Sequence, residues 1–233
     1  MKCFLLFSSK LRLPYSVIGY AMSLGSKPQP QSWLSTFKKP ADISAVAGLA
    51  QHIFEVSINN AEALKGFIHA ENERQRQERK VLVVCEFLYL FMHLSDKWSF
   101  KVLGNEKRCK VHDQLYPLIV QSTIETIFMH WPPDMIDSLE NEFRDRLNDA
   151  EIEYTDCQQI FDTEHPFSQN TLFSRFAARV CEVMGIEKTN PMISGGAFVH
   201  AYGSAFFKVL DLAGHSFVEL NLPDTVRAIG KEI

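Results

Sequence analysis

From Val81 to Leu103 the chain reads VLVVCEFLYLFMHLSDKWSFKVL, and wound as a helix it is apolar on nearly every side. Only Glu86, His93 and Lys97 share a narrow polar seam. A helix that is apolar almost all round has to be covered by the rest of the protein, so the pattern predicts a central rod over 81–103. Its apolar run, about 14 residues and broken by Glu86, falls short of the roughly 20 that a membrane span needs.

The flanking segments repeat apolar residues at steps of three and four, the period of a helix with one buried face. Ile43, Ala47, Ala50, Phe54, Ile58, Ala61, Leu64 and Ile68 make one stripe over 42–70, with Asp42 as the predicted N-cap. The run ENERQRQERK at 71–80 is too charged for any core and reads as a solvated helix extension or a hinge. Gly104 is placed to end the central helix. A helix is predicted over 105–116, with a break or kink at Pro117, then another over 118–131, where Val120, Ile124, Ile127 and Trp131 hold helical spacing. After Trp131-Pro132-Pro133, a long helix over 134–162 carries the stripe Ile136, Leu139, Phe143, Leu147, Ala150, Tyr154, Cys157 and Phe161.

A shorter helix is predicted over 171–184, capped by Asn170 and ended by Gly185, with Phe173, Phe176, Val180 and Met184 turned inward. The last predicted helix covers 192–213. Its small residues Gly195, Gly196, Gly203 and Ser204 suggest close backbone packing or a flexible helix, and Gly214 is placed to end it. The fold class is therefore all-α: a single bundle of about six helices around the 81–103 helix. Residues 41–214 form the bundle, 1–40 an extension outside it and 215–233 a C-terminal tail.

Composition refines this picture in three ways. The chain has 233 residues, 46% hydrophobic and 22% charged, enough to bury a core without staples. Six of its 24 cations and none of its 28 acids fall in residues 1–41, which leaves 18 cations against 28 acids in the rest. So acidic a body disfavours nucleic acid, whose phosphates call for clustered Lys and Arg. The basic, acid-free start reads as a loose tail or an over-long start with Met22 as the true first residue, and less readily as a targeting segment. The five cysteines are dispersed and never form CxxC. That speaks against a disulfide framework or a zinc knuckle and for a reducing, cytoplasmic setting.

No motif fixes an activity. GxGxxG, GxxxxGK[ST], GxSxG and HExxH are all missing, as is the Glu-x-x-His pair that helical di-metal sites use. What remains is Glu86 and His93, the candidate catalytic pair. Seven residues apart on one face, they stand about 10 Å apart along the axis and need partners from other helices. His93, Asp96 and Glu125 are the candidate metal ligands. The seam points into a cleft, or else Glu86, His93, Lys97 and Lys101 form the one strip of the rod that reaches water; the lysines favour water.

The 134–156 face holds nine acids against Arg144 and Arg146. It reads as a solvated face, or as a docking surface for a basic protein partner through Glu142, Asp145, Asp149 and Glu153. The 18 phenylalanines read as a bulky core, or less often as the lining of a cavity for an apolar ligand. Three functions are compatible with these features, in order of preference. The first is a non-enzymatic soluble helical adaptor with an acidic docking face. The second is a metal-binding protein or enzyme using Glu86, His93, Asp96 and Glu125. The third is a binder of an apolar small molecule.

Overall fold

The computed structural model describes residues 44–127, 133–157, 159–162, 170–186 and 196–233. Among them are seven α-helices: α1 (Ala45–Ala63), α2 (Glu73–Leu103), α3 (Asn105–Ile127), α4 (Pro133–Thr155), α5 (Leu172–Val183), α6 (Gly196–Leu220) and α7 (Leu222–Glu232). The fold is all-α, as the sequence predicts. The one β-type pairing among these residues is an isolated bridge between Gln159 and Thr171.

The central rod is present. Every residue from Val83 to Ser95 is buried, and α2 packs against α1, α3, α4, α5 and α7. Aromatic rings fill the joints. Phe87 meets Phe176 of α5 edge-on at 4.9 Å, and Tyr89 meets Phe143 of α4 at 5.0 Å. Asn60 of α1 donates to Ser216 of α6 at 2.8 Å, a buried polar tie between those two helices.

The helix ends obey local chemistry. Ser44 caps α1, its hydroxyl accepting from the Ala47 N–H at 3.2 Å; the predicted cap Asp42 lies outside the described residues. Asn72 caps α2 by accepting from the Gln75 N–H, and Gln75 accepts in return from the Glu71 N–H. The charged run is thus the first turns of α2 itself, which adds about two partly exposed turns ahead of the buried stretch. Gly104 and Gly185, both at φ +79°, close α2 and the turn after α5. Thr171, one residue beyond the predicted Asn170, caps α5.

Three expectations are corrected. Pro117 does not divide two helices, because α3 is continuous across it from Asn105 to Ile127. Val111, Leu115, Ile119, Val120 and Thr123 form one buried row across the proline, and packing of that row against α1 and α2 outweighs the lost backbone hydrogen bond. Gly214 does not end a helix. It lies inside α6, and a further helix, α7, stands where a tail is predicted. Leu222, Val226 and Ile229 are fully buried, the Lys107 ammonium donates to the Gly230 carbonyl, and the Glu232 carboxylate accepts from the Ala45 N–H. Phe161 is exposed and lies beyond the end of α4, which stops at Thr155. The 1–40 extension lies outside the described residues.

Candidate functional site

The polar seam of α2 splits into two parts. Lys97 and Lys101 reach water, whereas Glu86 and His93 are each only 2% exposed. The Glu86–His93 part of the strip is therefore covered, and the covering helices supply partners. Arg179 of α5 grips Glu86 with Nε to Oε2 at 2.8 Å and Nη2 to Oε1 at 3.1 Å, and its Nη1 reaches Glu153 of α4 at 3.2 Å. Burial works against the Arg179 charge, but Glu86, Tyr154 and Glu153 outweigh it and hold the guanidinium above its ordinary pKa.

His93 meets Glu151 of α4, Nδ1 to Oε2 at 2.6 Å. His93 Nε2 and the Tyr154 hydroxyl are buried with no hydrogen-bond partner among the described residues. The two rings meet edge-on at 5.4 Å. Burial pushes the Tyr154 phenol well above its usual pKa, with the Glu86 charge adding to it. Cys85 and Cys181 are likewise driven up to about 12 by burial, which suits inert core thiols rather than nucleophiles.

The other candidates are not drawn together. Glu86 and His93 have separate partners. Asp96 accepts from Arg108 Nε at 2.6 Å, and Glu125 is exposed, accepting from Gln121 on its own helix. Among the described residues no group of three or more His, Cys, Asp or Glu is arranged to hold a metal ion. On α4, Asp145 and Asp149 face water, Glu142 is tied to Arg146 at 3.2 Å, and Glu153 turns toward Arg179.

Between α2, α3 and α4 lies a cleft of about 290 Å³. Its polar walls are Asp96 from α2, Arg108, His112 and Tyr116 from α3, and Arg144, Asn148 and Glu151 from α4. Met92 and Leu147 form an apolar floor, and none of the described phenylalanines lines it; the buried ones pack into the core. A narrow recess continues past Met92 and Asp96 to Ser99, which is 1% exposed. The hydroxyls of Ser99 and Tyr116 are buried and have no hydrogen-bond partner among the described residues. Asp96 raises the pKa of Arg108 through their hydrogen bond, and burial raises that of Tyr116.

Sequence reasoning singled out Asp96 here and missed the rest. The signal is nonetheless present. Arg108, His112 and Tyr116 come at steps of four, and Arg144, Asn148 and Glu151 at four and three, so each set shares one helix face. Either row alone reads as a solvated face; only the approach of α3 and α4 turns the two into facing walls. Compared with family models, curated proteins and solved structures, the chain matches none of them.

Proposed function

We propose that this protein is a non-enzymatic helical binding protein whose site is the cleft between α2, α3 and α4. The observation that carries this is the cleft itself, about 290 Å³ between three helices, with walls that bear both signs of charge over an apolar floor. The volume sits near the lower end of small-molecule sites, about 300 Å³. A non-enzymatic role is favoured because Glu86 and His93, the titratable groups of the rod, are each engaged with a neighbouring helix. The test is chemical-shift mapping of the labelled protein against a diverse fragment library. Hits are expected to move amides around Asp96, Arg108, Tyr116, Arg144 and Glu151; a screen whose hits cluster elsewhere, or that gives none, contradicts the proposal.

A second role is favoured by a separate observation. Asp145, Asp149 and Ile152 share one exposed face of α4, with Ile152 68% exposed. Acids beside an uncovered apolar side chain suit docking of a basic protein partner, in a cytoplasmic setting. Charge reversal by Asp145→Lys with Asp149→Lys is expected to abolish that association, and retention of the same partner contradicts it.

A further inference from the structure

The charges lining the cleft narrow the class of ligand it can take. Arg108 stands on α3 and Arg144 on α4, so two guanidiniums line the cleft from different walls. Asp96 on α2 and Glu151 on α4 add two carboxylates. These four formal charges cancel. A free anion meets two carboxylates here and a free amine meets two guanidiniums, whereas a molecule with one charge of each sign can answer both sets.

Each charged group is also fixed by one atom and keeps capacity to spare. Arg108 gives Nε to Asp96, and Arg144 gives Nη2 to the Asn141 side chain, so each guanidinium retains further N–H donors. Asp96 uses Oδ1 for Arg108 and Glu151 uses Oε2 for His93. Oδ2 of the one and Oε1 of the other take no hydrogen bond among the described residues. Anchoring through one atom pre-organises a polar group while leaving it able to bind. The apolar floor of Met92 and Leu147 would take a short side chain, with the Ser99 and Tyr116 hydroxyls beneath.

Building on the reading of the cleft as the binding site, we propose that it takes a small zwitterion of the α-amino-acid class, with the carboxylate on Arg108 and Arg144 and the ammonium on Asp96 and Glu151. Calorimetric titration tests this with L-leucine, L-methionine and L-phenylalanine, each beside its carboxylate-only and amine-only analogue, and with inorganic phosphate. At least one amino acid is expected to bind about tenfold or more tightly than both its analogues and phosphate, the margin for losing one charge-assisted hydrogen bond. Arg144→Gln should weaken that binding by a similar factor. Arg144 is exposed, so the variant should keep the wild-type melting temperature. A carboxylate-only analogue or phosphate that binds as tightly overturns the zwitterion, as does an Arg144→Gln variant with unchanged affinity. No binding by any probe also overturns it; the cleft itself still stands if the fragment hits map there, and falls with it if they do not.

Discussion

Arg179 and Glu86 are 93 residues apart in sequence, yet they form a two-pronged ion pair, at 2.8 and 3.1 Å, against the longest buried stretch among the described residues. Glu86 would otherwise be a lone carboxylate in an apolar interior. Removing one member of a buried pair typically destabilises by about 3–5 kcal/mol, because the other charge is left uncompensated. Arg179→Met is expected to cost that much in urea unfolding. The double variant Glu86→Gln with Arg179→Met should lose clearly less than the sum of the single changes, and additive losses would show that the two side chains act independently.

Glu62 near the end of α1 accepts from Lys65 at 2.5 Å and from Lys80 of α2, and those hydrogen bonds lower its pKa from 4.5 to about 2. A carboxyl depressed in the folded state stabilises above its unfolded pKa and loses that contribution as it is protonated. The effect is thus full above pH 4.5 and fades as the pH falls toward 2. Glu62 is half exposed, so solvent screening keeps it below about 1 kcal/mol. Glu62→Gln should flatten the stability slope across that window and leave stability at pH 7 lower by less than that amount, as read from urea midpoints against pH.

Gly214 sits within α6, and a methyl group built on it meets nothing within 4 Å. Close backbone packing therefore does not explain this glycine. Gly214→Ala is expected to stabilise by up to about 1 kcal/mol, the helix-propensity difference between the two residues. A scanning calorimetry experiment checks this, and a lowered melting temperature would mean that α6 needs the glycine.

Local patterning made the helices legible and left their partnerships hidden. The rod at 83–95 stands out because no face of it is polar enough for water. Phe173, Phe176, Val180 and Met184 emerge from periodicity alone, and all four are buried. The local breaking signals at Pro117 and Gly214 misled: neither residue ends its helix, because packing along α3 and α6 carries each helix past it. Lys97 on the same strip weighted Glu86 and His93 toward water, although a cleft, or for His93 a place in the core, stayed open as the other reading. The deciding groups, Arg179 and Glu151, lie on distant helices, where each looks like an ordinary surface charge. The cleft was hidden for the same reason: its walls come from three helices, and nothing local specifies that they meet.

Fold and cleft alike require that α2 be enclosed, its acid and imidazole answered by α4 and α5 rather than by solvent. Native-state hydrogen exchange resolved to single amides tests this most directly. The amides of Phe87 to Leu94 are expected to exchange only through global unfolding, at the free energy measured by urea and with the same denaturant dependence. Exchange of those amides through local opening, at a free energy well below the global value, would contradict it.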